Sequence, residues 1–206
     1  MQSREDCISG TILLMKHPGF HGTSGTTRAI SAGTRIGHVH LKVSDLERSL
    51  DFYCGVLGFE LMQRMGNSAA FISAGGYHHH IGLNTWESDG GQPPPAGTTG
   101  LYHLAILYPS REDLADGLRR VLEAGIELDG AADHGVSEAL YLRDPDDNGV
   151  ELYRDRPQAE WPRDAQGKLA ILTRPLNLRA LLAEAHAADL ARRQQAQPVS
   201  VGPKDL

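Results

Sequence analysis

The sequence repeats itself, and the repeat limits what it can fold into. "GHVHLKVSDLERSLDFYCGVLGF" begins at Gly37 and "LYHLAILYPSREDLADGLRRVLEAG" at Leu101. Each runs from an alternating apolar segment into a segment of helical period and stops at a glycine. His38 precedes Gly58 by 20 residues, and His103 precedes Gly125 by 22. In the first helical segment Leu46, Leu50, Tyr53 and Leu57 share a face, with Ser44 and Glu47 placed as a capping box. In the second, Ser110 and Asp113 hold the equivalent positions. Three short strand-like segments follow each helix: "ELMQRM", "AAFISAG" and "HHIGLNTW", then "IELDGAADHG", "EALYLRDP" and "GVELYRD". "DPDDNG" between the last two reads as a tight turn, with Asn148 and Gly149 as the residues that tolerate positive φ.

Each unit is therefore strand–helix–three strands, too small to bury its own apolar face, and the two are expected to pack as a pair. The fold class is α+β. Residues 1–34 are read as an extended or disordered arm, and residues 35–160 as the paired domain, with modules at about 35–88 and 100–157. Residues 161–206 hold a helix at about 178–194, with Leu178, Leu181, Leu182 and Leu190 on one face, and a loose tail. The formal net charge of −6 argues against nucleic acid as a partner. No apolar run approaches the roughly 20 residues of a membrane span, and "TILLM" falls short of a signal segment. Only Cys7 and Cys54 are present, so no disulfide framework is expected and a cytoplasmic location follows.

Matched positions in the repeat single out candidate chemistry. His38 and His103 head equivalent strands, and a pseudo-twofold pairing is expected to bring them together. Glu151 on the last strand of the second unit completes a 2-His-1-carboxylate set, which binds a borderline divalent ion and leaves positions open. Its counterpart in the first unit is Gly82. A glutamate there would make a four-ligand cage suited to an isomerase. Glycine leaves room for a chelating substrate and dioxygen.

"GHVHLKVSDLERSLDFYCGVLGF", "HHHIGLNTW", "GLYHLAIL" and "DHGVSEALYLRDPDDNGVELYRDRP" together resemble the vicinal-oxygen-chelate superfamily of glyoxalases, bleomycin-resistance proteins and extradiol dioxygenases. Within it they are most similar to catechol 2,3-dioxygenase-type ring-cleaving enzymes. The resemblance implies two βαβββ modules in an incomplete barrel-like sheet around one metal. It implies that Fe2+, with Mn2+ as the alternative, is held by His38, His103 and Glu151. It implies that His134 and Tyr141 hydrogen-bond a small aromatic diol substrate that is cleaved with dioxygen. Tyr141 lies ten residues before Glu151, as in similar enzymes. A glyoxalase-type isomerase or lyase, and a non-catalytic small-molecule-binding protein, are the alternatives. A chain with one pair of modules is expected to form a homodimer that covers exposed sheet.

The resemblance also points to His79, in "YHHHIGLNTW", as the proton-transfer group. Strict alternation instead puts His78 and His80 on the face of Gly82 and His79 on the other. A bulge, or a strand that begins only at His80, would reconcile the two, with His80 as the runner-up. His78 is read as an exposed strand edge. His40 is either a support for His38 or a satisfied core histidine. Trp86 and Tyr102 are candidates for the cavity wall, with plain core packing the favoured role for each. The Asp144–Asp147 cluster suits a turn better than a cation site, and His17 and His21 in the arm are expected to have no role.

Overall fold

The computed structural model describes residues 28–195, without the side chains of 186 and 188–195. Cys7, the 11–15 apolar run, His17, His21, Leu190 and the tail after 195 lie outside what is described. Contacts divide the chain into Met1–Ile36 and Gly37–Leu206. The described part of the first unit, 28–36, is exposed and carries one turn, closed by the Thr34 N–H donating to the Ser31 carbonyl at 3.0 Å.

The second unit holds both modules. In the first, β1 (Val39–Lys42) leads into α1 (Leu46–Leu50), a π-helical segment (Asp51–Val56), β2 (Glu60–Met65), β3 (Ala69–Ser73) and β4 (Ile81–Asn84). In the second, β5 (Leu104–Leu107) leads into α2 (Arg111–Glu123), β6 (Gly130–Asp133), β7 (Ser137–Arg143) and β8 (Gly149–Asp155). The sheet orders are β1-β4-β3-β2 and β5-β8-β7-β6, so the first and last strands of each module lie side by side, parallel. The architecture is α+β, two βαβββ modules, as the repeat requires. The sequence reading missed β9 (Arg174–Pro175), which adds to the edge of β6. Its two residues carry no period to detect. α3 (Leu178–Gln195) packs Leu181 and Ala185 into the core, with Leu178 and Leu182 partly buried.

Local chemistry sets the element ends. Gly58 and Gly125 stop the helical segments at φ +89° and +71°. Ser110 caps α2 by accepting from the Asp113 N–H at 3.1 Å. The expected Ser44 cap is displaced by one residue: Asp45 accepts from the Arg48 N–H at 3.0 Å. Ser44 is occupied elsewhere, because its hydroxyl and N–H both donate to Asp146 in the β7–β8 turn, at 2.5 and 3.1 Å. Arg48 joins the same carboxylate at 2.7 Å, and the fully buried Tyr53 donates to Asp144 at 2.9 Å. The acidic cluster of "DPDDNG" is thus spent on its own turn and on the helix of the other module. Positive φ falls on Asp147 (64°), not on Asn148 or Gly149. Gly149 is required for space, since a Cβ there would lie 2.1 Å from the Tyr102 carbonyl oxygen.

Apolar residues from both modules and α3 form one core. On each sheet the residues that alternate with core positions form an open face, away from the helices. His40, Gly82 and Phe71 lie on the first open face; Ala105, Glu151 and Tyr141 lie on the second. Among the described residues no hydrogen bond, ion pair or ring contact joins the two open faces. No described helix is long and apolar enough to cross a membrane.

Candidate functional site

Strand register assembles the second module's side chains in a row. Ala105 pairs with Glu151, Glu151 with Tyr141, and Tyr141 with Gly130. Two polar side chains therefore stand side by side, flanked by two residues too small to cover them. His103, at the head of β5, places Nε2 2.9 Å from Glu151 Oε2. The Tyr141 hydroxyl lies 3.2 Å from Glu151 Oε1, and His134 Nε2 lies 2.8 Å from the same hydroxyl.

The proton positions follow from the outer end of this line. His134 Nδ1 is 2.9 Å from the Leu172 carbonyl, which can only accept, so Nδ1 carries the proton. In the neutral ring Nε2 is then an acceptor aimed at Tyr141. The single hydroxyl proton of Tyr141 has two acceptors in reach, His134 and Glu151. Burial first, then the Glu151 charge, pushes the Tyr141 hydroxyl up to about 12, so it remains a donor at neutral pH. His103 Nδ1 is buried and has no hydrogen-bond partner among the described residues. Beside the row lies a cleft of about 190 Å³ whose lining includes Tyr102, His103, Tyr141 and Arg143.

The first module presents the same row with bulk reversed: His40, Gly82, Phe71 and Gln63. The register confirms that Gly82 stands where the second module has Glu151. The His40 ring fills the vacancy, for a Cβ on Gly82 would meet His40 Nδ1 at 2.9 Å. His40 is exposed, not a core residue. Lost hydration, then the charge of His38, lowers its proton affinity.

β4 begins only at Ile81, so strand alternation does not govern the three histidines before it. The His79 ring packs at a tilt against His38, 4.5 Å away, and edge-on to Phe71, 5.0 Å away, centroid to centroid. His80 is tied back to the Ser73 hydroxyl at 3.0 Å. His78 is exposed and bonds His79 through the two Nδ1 atoms at 2.8 Å. Lost hydration, then His38 and the other neighbouring histidines, lowers the proton affinity of His79.

The structure thus gathers His103, Glu151, Tyr141 and His134 on one sheet and His38 with His79 on the other. His38 and His103 do not meet within one chain. The modules are joined through the α1 side and the β7–β8 turn, which leaves the open faces without mutual contacts. Among the described residues no group of three His, Cys, Asp or Glu side chains could hold a metal ion. One imidazole nitrogen and one carboxylate oxygen converge at His103 and Glu151, a donor pair of the kind a borderline divalent ion takes. The described residues of one chain supply that pair without a third donor.

Trp86 and Tyr102 also depart from expectation. They are 60% and 84% exposed, each lying just beyond a strand end where the described residues offer nothing to cover it. Trp86 lies 5.6 Å from the His40 ring and Tyr102 5.5 Å from the His103 ring. Sequence reasoning missed the Leu172 carbonyl and the Thr173 hydroxyl, 3.3 Å from His134 Nδ1. A backbone acceptor leaves no mark in a sequence.

The sequence is similar to catechol-2,3-dioxygenase of Bacillus subtilis, 42% identical over 158 residues, covering 76% of this chain and 54% of that protein. It is 32% identical over 126 residues to biphenyl-2,3-diol 1,2-dioxygenase 2 of Rhodococcus globerulus, covering 61% of this chain and 65% of the relative. The chain therefore spans less than two thirds of the length of these relatives. A glyoxalase/dioxygenase crystal structure from Nostoc punctiforme shares the fold, with a TM-score of 0.53 at 18% identity over 65% of this chain and all of that one. The matching sequence profile is that of the Glyoxalase/Bleomycin resistance protein/Dioxygenase superfamily, over residues 35–152. With the two βαβββ modules and the register-matched rows, that match makes the chain a member of the glyoxalase/bleomycin resistance/dioxygenase superfamily.

Proposed function

We propose that the chain is a metal-dependent dioxygenase that opens the ring of a catecholic substrate in extradiol fashion, with Fe(II) as its metal and Mn(II) as the alternative. The observation that carries the reading is the hydrogen-bonded line His103–Glu151–Tyr141–His134 on one open face. The similarity to proteins named as catechol and biphenyl-diol dioxygenases supports it.

In this reading His38, His103 and Glu151 hold the metal. When bound, the metal supplies a Lewis-acidic, redox-active centre for two adjacent substrate oxygens and for dioxygen. The protein's own groups manage the protons. A phenolic oxygen brought beside Glu151 meets the Tyr141 hydroxyl, which donates to it. His134, fixed by Leu172 as the Nδ1–H tautomer, turns its Nε2 to the Tyr141 hydroxyl as the other acceptor and so positions it. His79, beside His38 and with lowered proton affinity, is a neutral base at physiological pH and the acid/base group on the opposite sheet. Gly82 adds no fourth ligand, which favours ring cleavage over a glyoxalase-type isomerase.

The test is metal analysis of protein purified without oxygen, followed by ring cleavage of catechols monitored by absorbance. Parent protein is expected to bind about one divalent ion per chain. His103→Ala and Glu151→Ala are expected to lose it. Full metal occupancy in both variants, or a metal-loaded parent inert toward every catechol tried, would overturn the reading.

A further inference from the structure

We propose that His78 and His79 form a two-imidazole chelate for a divalent ion that takes its ligands at right angles, Cu(II) or Ni(II), and that an ion held there switches off the proton chemistry of His79. The chelate uses none of His38, His103 and Glu151 and stands on its own geometry. Its effect on turnover rests on the reading that His79 is the acid/base group.

The Nδ1 atoms of the two rings lie 2.8 Å apart. On a strand, consecutive side chains point to opposite faces and could not share an ion. Here the pair precedes β4, which begins at Ile81, so both rings turn to one point. The backbone just after the pair is pinned on two sides. The His80 N–H donates to the Ile72 carbonyl at 2.9 Å, and the His80 carbonyl accepts from the Val39 N–H at 3.0 Å. The rings are held as well, His78 by the Tyr77 ring at 4.0 Å and His79 by His38 and Phe71 at 4.5 and 5.0 Å, centroid to centroid. The donor pair is thus arranged before an ion arrives. His78 is exposed, and no third His, Cys, Asp or Glu joins the pair among the described residues, so water takes the remaining coordination positions.

The separation selects the ion. With metal–nitrogen bonds of about 2.0–2.1 Å, ligands at right angles stand about 2.9 Å apart and tetrahedral ligands about 3.3–3.4 Å apart. The observed 2.8 Å fits the right-angled positions of a square-planar or octahedral ion. Without the ion, one Nδ1 donates its proton to the other. On binding, that proton moves to Nε2 of its own ring, both Nδ1 lone pairs face the ion, and both rings stay neutral. Coordinated through Nδ1, His79 carries its proton on Nε2, and that nitrogen can no longer accept one.

The probe for binding is Cu(II), read by electron paramagnetic resonance. It is added to the untagged full chain carrying His103→Ala and Glu151→Ala, which takes the imidazole–carboxylate pair out of competition. The first equivalent of Cu(II) is expected to show coupling to two imidazole nitrogens. Adding His78→Ala should abolish that signature, and adding His80→Ala should not. Circular dichroism and a parallel background of His103→Gln with Glu151→Gln guard against loss of fold. A two-nitrogen signature that survives His78→Ala, or that never forms, would overturn the chelate. The probe for turnover is Ni(II), which does not oxidise catechols, added to Fe(II)-loaded parent and His78→Ala with iron content measured afterwards. Saturating Ni(II) is expected to slow the parent about 100-fold, the scale of one acid/base group, and His78→Ala less than about twofold, each against its own rate without Ni(II). Equal inhibition of both with iron retained would overturn the switch. A Cu(II) signature that depends on His78, in a protein that cleaves no catechol, would uphold the chelate and refute the dioxygenase reading.

Discussion

Gly82→Glu probes the position where the two modules differ most. Gly82 does not have positive φ, so a side chain meets no backbone penalty there. The obstacle is the His40 ring, whose Nδ1, Cε1 and Cγ would lie 2.9, 3.0 and 3.0 Å from the new Cβ. His40 is exposed and can rotate away, at about 0.5–1.5 kcal/mol for an off-rotamer ring. Removing a glycine from the unfolded chain offsets about 0.4–1 kcal/mol of that. The net cost is on the order of 1 kcal/mol or less, a Tm loss of about 2–4 °C for a chain of this size. Gly82→Ala isolates this steric part and is expected to remain active. In Gly82→Glu the matched register sets the new carboxylate relative to His38 as Glu151 stands relative to His103, where the atoms are 2.9 Å apart. It becomes a fourth ligand. Metal content is expected to equal or exceed the parent's, while ring cleavage falls by about 100-fold or more, a barrier increase of roughly 2.7 kcal/mol. The assay is metal per chain alongside catechol turnover in parent, Gly82→Ala and Gly82→Glu. A folded, fully active Gly82→Glu would show that this position does not face the metal and would refute the argument from the open site.

Three further outcomes are expected. His79→Ala should keep its metal and lose about 100-fold in turnover, whereas His80→Ala, which loses the contacts to Ser73, the Ala74 N–H and the Tyr77 ring, should stay near the parent; the reverse order would exchange their roles. Tyr141→Phe removes the hydroxyl shared by Glu151 and His134; losing a bond of this charged kind costs about 1.5–3 kcal/mol, so kcat/KM should fall roughly 10- to 150-fold with metal retained, and unchanged constants would take Tyr141 out of the site. Burial first, and then Asp144, raises the Tyr53 hydroxyl above its ordinary value, so its share of stability is full below about pH 10 and is lost as pH rises beyond that. Tyr53→Phe should lower Tm at neutral pH and flatten the alkaline decline, and an equally steep decline in the variant would assign it to other groups.

The sequence determined the repeat, and with it the two βαβββ modules, because apolar periodicity and the stops at Gly58 and Gly125 act within a few residues along the chain. It also determined which positions are equivalent. His38 with His103 and Gly82 with Glu151 follow from counting, and the strand registers place them as counted. Tertiary structure decided what counting could not reach. Whether Ser44 capped a helix or bonded Asp146 depended on a residue 102 positions away. Whether strand alternation reaches His79 and His80 depended on where β4 begins, which pairing with its neighbours fixes and alternation does not. The Leu172 carbonyl that sets the tautomer of His134 is a backbone atom of the segment just before β9, held there by the Leu172 N–H donating to the His134 carbonyl. Above all, the repeat predicted that His38 and His103 share a site but not whether one chain could bring them together. That depended on how the modules dock, through buried Tyr53–Asp144 and Ser44–Asp146 contacts, an arrangement that leaves His38 on one open sheet and His103 on the other.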